Sequence, residues 1–358
     1  MNSRDRFLRI MRYEPVDRLP VLALEPYEED AVKRWHSEGL PGDRDPVGFL
    51  GMSRLVHVPV NLGPIPPFPQ EVISEDDESI VMRSSLGALV RHHKSNPSMF
   101  YGHIDHPVKT REDWEAYRER FRYDTPGRLA GGWATGAWSS YNACEDPVGL
   151  SIFPFFFRLG FYAMGMERFL TAFYDMPDLI HEMFAHWGEF VLNVIRPVLE
   201  TVRLDFVTFG EDLAGKNGPL ISPRVYAEFW RPYQDPILRL LREHKVPAIC
   251  QWSSGRFHEL LPDMLEEGFN CTWPLEVMAG MDALDLRRRF GRRLLLAGNI
   301  RKEAVIAGPE AIDREIERLM PLIREGGFLP ALDDMGAPDM PFAHYQHLIH
   351  RLQDIRMA

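Results

Sequence analysis

The sequence predicts an α/β chain folded as a (β/α)8 TIM barrel with a β-rich excursion near its N-terminus, and three observations carry that expectation. Short apolar runs alternate with longer amphipathic ones along most of the 358 residues, the pattern of parallel strands joined by right-handed crossover helices. No glycine-rich dinucleotide fingerprint follows a strand, which favours a barrel over a doubly wound sheet. Several apolar runs also end on acidic or amide side chains, at the strand ends where barrels build active sites.

Composition sets the outer bounds. Hydrophobic residues make up 45% and charged residues 26% of the chain, as in an ordinary globular protein. A net charge of −11 argues against nonspecific nucleic-acid binding. The run Arg287-Arg288-Arg289 with Arg292 and Arg293 is taken as a solvated helix face. No apolar run approaches a membrane span, and the first residues lack a signal-peptide core. The three cysteines, Cys144, Cys250 and Cys271, are far apart and odd in number, so reduced thiols in a cytoplasmic protein are expected. One domain, residues 1–358, accounts for the whole chain.

Taken in order, residues 3–13 form a helix with Phe7, Ile10 and Met11 on one face, and Leu19–Leu24 is a first strand ending at Glu25. Residues 52–105 hold β-rich segments, at 72–73, 79–84 and 89–93, expected as an insertion over the barrel mouth. Thr110 with Asp113 caps a helix. Residues 125–157 are least regular, with a strand at Val148–Phe153. Leu179–Leu199 is a long helix. Leu204–Phe209 is a strand ending at Glu211-Asp212. Ser222-Pro223 opens a helix through Leu241 that Pro232 and Pro236 should kink. Val246–Gln251 is a strand, Ser253-Ser254-Gly255 a turn, and Phe257–Leu265 a helix stopped by Gly268. Phe269–Trp273 is the next strand and ends at Pro274-Leu275-Glu276. Asp282 caps a helix ended by Gly291. Arg293–Ala297 is a strand ending at Gly298-Asn299. Pro309 opens a helix, Gly327–Leu332 is a strand ending at Asp333-Asp334, and Pro341–Arg351 is the last helix. Seven strands are counted this way. The eighth is expected within 125–157 or within the β excursion.

The opening RFLRIMRYEPVDRLPV, the turn Trp252-Ser253-Ser254-Gly255 and the strand-end motifs Glu-Asp-Leu-Ala, Pro-Leu-Glu and Leu-Asp-Asp together resemble the uroporphyrinogen decarboxylase superfamily. The opening is nearer to that of its cobalamin-dependent methyltransferases than to that of the decarboxylase. The arginine-rich opening with which the decarboxylase grips porphyrin carboxylates is absent. In the methyltransferases the turn is His-x-Cys-Gly and binds zinc. Here Trp252 and Ser254 stand in place of those ligands, so zinc of the His-x-Cys type is not expected, while a carboxylate-bound metal stays open. The resemblance implies the barrel fold and a homodimer.

The candidate site follows from the strand ends. Glu211, Glu276 and Asp333 are the catalytic candidates, because glutamate is a weaker helix cap than aspartate and because these positions match the family's motifs. Glu25, Arg158, Asp212, Trp252, Ser254, Asn299 and Asp334 are candidates for substrate binding, although for Asn299 and Asp334 taken alone capping or turn formation is the favoured account. Crowded carboxylates raise one another's pKa and suit acid catalysis or a cation. They suit a many-carboxylate porphyrin poorly. Trp252 offers a flat wall, and Phe153, Phe155, Phe156, Phe157, Met164 and Met166 are candidates to extend it. His258, His344, His347 and His350 are taken as surface histidines.

The leading expectation is methyl transfer between a small substrate, with a methoxyaromatic among the candidates, and a corrinoid carried by a partner protein, chemistry that the resemblance implies. Decarboxylation of a tetrapyrrole or small carboxylate is the second reading, and a non-catalytic ligand-binding barrel the third.

Overall fold

The computed structural model describes residues 1–94 and 96–357, without the side chains of 96–101. In chain order the strands are β1 (Val56–His57), β2 (Val72–Glu75), β3 (Ser79–Arg83), β4 (Leu89–His93), β5 (Asn96–Asp105), β6 (Val148–Ile152), β7 (Phe206–Gly210), β8 (Ala214–Gly215), β9 (Gly218–Pro219), β10 (Ala248–Trp252), β11 (Cys271–Trp273), β12 (Leu295–Ile300) and β13 (Phe328–Leu332). Seven form one all-parallel sheet in the order β1-β6-β7-β10-β11-β12-β13. The apolar segment at 19–24 adds an eighth position through a parallel bridge, Leu22 to Ser53, and the bond from Ser53 N–H to the Val21 carbonyl, 2.9 Å. A narrow cavity lined by Val21–Glu25 on one side and Pro330–Leu332 on the other marks where the first and last positions meet. This ring of parallel positions is consistent with a (β/α)8 barrel.

The eighth strand is therefore Val56–His57, at the front of the segment assigned to the β excursion. Its two residues and its histidine gave no apolar run. The rest of that segment forms a four-stranded antiparallel sheet, β2-β3-β4-β5. It meets the barrel through the helix Phe156–Met164, where His103 packs edge-on against Phe161 at 4.6 Å.

Inward and outward faces alternate along the strands. Val207 and Phe209 on β7 pack outward, with Phe209 against Phe155 and Phe269. Phe206 points inward, where it meets Trp273 and Phe7 of the helix Ser3–Met11. That helix closes the amino-terminal end of the barrel. It is fixed there by the buried Arg4–Asp205 ion pair at 2.7 Å and by Arg4 bonds to four backbone carbonyls.

Several expected elements shift. The helix after Gly255 is Leu261–Glu267 and begins a turn later than its apolar spacing suggests. The run from Pro223 to Glu243 is helical throughout but carries a π turn at Tyr226–Trp230, just ahead of Pro232. Proline has no N–H and its ring crowds the carbonyl four residues back, here that of Glu228, so the ladder lets in an extra residue. Arg287 is not on a solvated face. It is buried and donates to Tyr13 Oη and to the carbonyls of Gly291, Leu294, Gly326 and Gly327. Phe155, Phe156 and Phe157 pack in the core, among Phe209, Phe184 and Phe169.

Gly149 on β6 tests the inward packing. A Cβ there would overlap the Phe206 ring, which is itself fully buried. Gly149→Ala should lower stability in urea by about 1–3 kcal/mol, the usual cost of overpacking a core. Phe206→Leu in the same chain should recover part of that loss; if it recovers none, the assigned packing is wrong.

Candidate active site

Counted round the ring from the segment at 19–24, Glu25 follows the first position and Trp252 ends the fifth, so the two stand on opposite sides of the mouth. They meet: Trp252 Nε1–H donates to Glu25 Oε1 at 2.7 Å. The register, Trp252 beside Gly210, places the indole on the inward face. Glu25 is pushed up to about 7, first by burial, which the indole bond partly offsets, and then by the charges of Asp334 and Asp212. A carboxyl in this setting holds its proton close to neutrality.

Ion pairs flank this bridge on both sides. Arg158, from the helix after β6, pairs with Asp212 after β7. The Ser254 N–H points at Asp212 Oδ1 from 3.4 Å. The guanidinium lies between the rings of Phe153 and Tyr162, 5.6 and 5.9 Å from their centres. Across the mouth, Lys302 after β12 pairs with Asp334 after β13 at 2.5 Å. Burial pushes the Asp212 carboxyl up, and Arg158 offsets it. Glu25, Arg158, Asp212, Trp252 and Asp334 thus come together as one group, and Lys302 joins it.

Glu211 and Asp333 do not face the mouth. Each is about 1% exposed, and backbone donors occupy both. Glu211 Oε2 accepts from the Phe157 and Arg158 N–H groups at 2.8 and 3.2 Å, capping the first turn of the helix Phe156–Met164. Its Oε1 accepts from the Trp230 indole at 3.0 Å, and the π turn brings that indole to it. Asp333 accepts from Lys302 N–H at 3.0 Å and Val277 N–H at 3.2 Å, tying the loops after β12 and β11 to β13. Burial drives Glu211 up to about 8 and Asp333 up to about 7.

The remaining candidates hold loops. Glu276 Oε2 accepts from Gly255 N–H at 2.9 Å. Gly255 has φ +75°, and a Cβ there would lie 2.5 Å from the Ala214 carbonyl oxygen, so this turn requires glycine. Ser253 is buried and accepts from Leu213 N–H at 3.0 Å, while Ser254 stays half-exposed beside Asp212. Asn299, buried and with φ +70°, bonds the carbonyls of Leu275 and Met281, the Ala283 N–H and Arg318. It acts as a clamp between loops.

A hollow opens inside the barrel beside the second and third positions. His57 pairs with Gly149, whose missing Cβ points at the inward ring of Phe206, so His57 faces inward too. Yet His57, Pro59 and Ser151 are all exposed, and Phe153 at the rim is 44% exposed. Of the expected apolar lining, Phe153 alone is open to this space; Met164 is buried and Met166 lies on the next helix. His57, Ser151 and Lys302 were missed in the sequence. Lys302 is visible only as a charge one residue past a strand. Trp252 and Ser254 supply neither imidazole nor thiolate, so the turn does not fit a zinc of the His-x-Cys type. Among the described residues no group of three or more His, Cys, Asp or Glu side chains is placed to hold a metal ion. None of the described helices is long and apolar enough to cross a membrane.

These raised carboxyls set a pH dependence. In the unfolded chain they titrate near 4, so from there to about pH 8 the folded state keeps protons that the unfolded state has lost. Their contribution is full below about pH 4 and is lost as pH rises through 7 and 8. The urea midpoint should fall between pH 5 and pH 8.5, and Glu25→Gln should flatten the part of that fall around pH 7. A midpoint that rises over this window would contradict the burial assigned to all three.

The chain is similar to known proteins of one kind. The model of the family described as uroporphyrinogen decarboxylase (URO-D) matches residues 156–354, more than half of the chain. A protein of Hydrogenovibrio crunogenus named uroporphyrinogen decarboxylase is 23% identical over 338 residues, 90% of this chain and 89% of its own length. One of the same name from Pseudomonas putida is 28% identical over 156 residues, 41% of this chain and 40% of its own. A third, from Chromohalobacter salexigens, is 31% identical over 108 residues, 29% of each chain. Together with the parallel sheet and the motifs at its carboxyl ends, the match to the family model shows that the chain belongs to the uroporphyrinogen decarboxylase family.

Proposed function

We propose that the mouth performs acid-assisted chemistry on a small substrate with Glu25 as proton donor, and that the reaction moves a methyl group from that substrate to a corrinoid on a partner protein. The Glu25–Trp252 bridge carries this reading. A carboxyl titrating near 7 keeps a substantial protonated fraction near neutral pH and can give that proton to the oxygen that loses its methyl group. The methyl goes to the acceptor, the former methoxy oxygen leaves as a hydroxyl, and the Glu25 carboxylate regains a proton from water.

Size and charge support a small, neutral substrate. The indole reaches across the mouth to Glu25, which leaves little span for a macrocycle. The carboxylates of Asp212 and Asp334 hold the nearby cations in ion pairs, so the mouth has no uncompensated positive charge among this group to attract a molecule bearing many carboxylates. Both cations at the mouth, Arg158 and Lys302, are already paired. The exposed side chains of Phe153, Leu220 and Met278, all on loops at this end, offer a partner protein an apolar rim. In this reading Glu211 and Asp333 are positioning residues, with Glu211 aiming Arg158 through the first turn of its helix. Glu276 holds the turn under Trp252.

A second reading, decarboxylation of a small carboxylate, has support from the name of the relatives, uroporphyrinogen decarboxylase, and from Arg158, a suitable carboxylate partner. Glu25 would then protonate the carbon that loses carbon dioxide.

The test uses free reduced cobalamin as acceptor with a panel of methoxyarenes. Methylcobalamin, read by its absorbance, should form with the wild-type protein and about 100-fold more slowly or worse with Glu25→Gln. Carbon dioxide release from small carboxylates without methyl transfer would favour the second reading. Turnover of either kind unchanged in Glu25→Gln would refute the acid role.

A further inference from the structure

His57 differs from several other histidines, whose ring nitrogens are engaged by the protein. His36, His106, His181 and His344 each meet a backbone carbonyl or a tyrosine hydroxyl at 3.0–3.1 Å, and His347 meets Asp313 at 3.1 Å. Among the described residues the His57 imidazole makes no hydrogen bond. Its one close partner is the Phe206 ring, met edge-on at 5.3 Å and 88°. It nevertheless lies on the inward face of β1, the first strand of the parallel sheet, with solvent reaching it through the hollow. A polar group so placed, with neither nitrogen used by the protein, has a donor and an acceptor available to a molecule that enters the hollow.

The walls describe what that something is. Phe153 stands at the rim, with its ring where a Cβ at Gly210 would fall. Pro59 and Phe206 are apolar neighbours, and Ser151 is a small polar one. Glycine at 149 and 210 makes room for the rings of Phe206 and Phe153 against β6 and β7. Burial also lowers the basicity of His57, so the ring is neutral near pH 7 and presents one N–H donor and one bare nitrogen acceptor. A hydroxyl satisfies both kinds of site, while an anion satisfies only one and adds charge to an apolar pocket.

We propose that His57 is the floor of the substrate site and that it holds the phenolic hydroxyl of a planar aromatic substrate whose other end lies at the Glu25–Trp252 bridge. This inference rests on the reading of the mouth as a site for a small neutral substrate and adds its class: a hydroxylated arene. His57 is a recognition residue in this scheme, and the proton chemistry stays with Glu25. The two parts therefore separate experimentally.

The probes are 4-methoxyphenol and 4-methylanisole, which match in shape and differ in the hydroxyl, with 4-methoxybenzoate as the anionic counterpart. Binding is followed by calorimetry on the full chain. Wild type should bind 4-methoxyphenol about tenfold more tightly than 4-methylanisole, as expected when a polar site loses its partner, and more tightly than 4-methoxybenzoate. His57→Leu should abolish the preference for the hydroxyl with little loss of 4-methylanisole binding. His57→Gln, which keeps a donor and an acceptor, should retain part of it. Calorimetry reads binding without turnover, so a failed acid role for Glu25 would not disturb this result. A wild type that binds neither phenol nor ether, or that shows no preference, overturns the proposal. So does a preference that survives His57→Leu.

Discussion

One hydrogen bond across the mouth organises the rest of this end of the molecule. The segment at 19–24 has no hydrogen-bonded ladder to β13, and one parallel bridge joins it to the second position. Its end is placed instead by side chains and short contacts. Trp252 bonds Glu25 at 2.7 Å, Tyr27 and Tyr345 share a hydroxyl–hydroxyl bond at 2.8 Å, and Glu28 N–H donates to the Gly336 carbonyl at 3.0 Å. The indole N–H is a neutral donor. It satisfies a half-buried carboxyl without the strong ionising pull of an ammonium or guanidinium. The same bond therefore fixes the first strand and leaves Glu25 with a proton to give. The two ion pairs flank it, each confined to its own side of the mouth.

Behind that surface lies a second set of polar groups whose work is mechanical. Glu211, Asp333 and Asn299 are as buried as the core leucines, and each bonds separate segments, Glu211 and Asp333 by accepting N–H groups and Asn299 by donating to the Leu275 and Met281 carbonyls while accepting from Ala283 N–H. A carboxylate or amide that accepts backbone N–H groups from two segments holds both at fixed distance. The loops of a barrel's carboxyl end are its least regular parts, and here they are stitched from beneath. Arg158 owes its place to this arrangement, since the Glu211 cap sets the first turn of the helix that carries it.

Much of the fold was legible because it rests on period and on punctuation. Seven apolar runs marked seven strands, Asp282 and Ser222 cap their helices as their spacing indicates, and Thr110 with Asp113 forms the full capping box. The eighth strand was not legible, since two residues, one of them histidine, carry no periodicity. The site was legible in outline only. Carboxylates after strands were visible, but sequence position says nothing about which way a side chain turns. Glu211 and Asp212 are neighbours, and one is sealed under a helix while the other meets Arg158 at the mouth. The difference lies in Trp230, nineteen residues on. His57 was hidden because its significance is that it faces inward with no hydrogen-bond partner among the described residues, a property of the packed sheet.

The π turn at Tyr226–Trp230 has a consequence for sequence change. An extra residue in one turn of a helix advances everything after it by about 100° around the axis. Trp230 reaches Glu211, and Gln234 reaches Glu267 and Tyr226, only with that offset in place. A chain shorter by one residue between Pro223 and Trp230 can form a regular and intrinsically sounder helix. It would pay for that regularity by swinging the indole away from Glu211 and leaving a buried carboxyl short of a donor. Substitutions in this helix are thus freer than deletions, and its length, more than its composition, is what the mouth depends on.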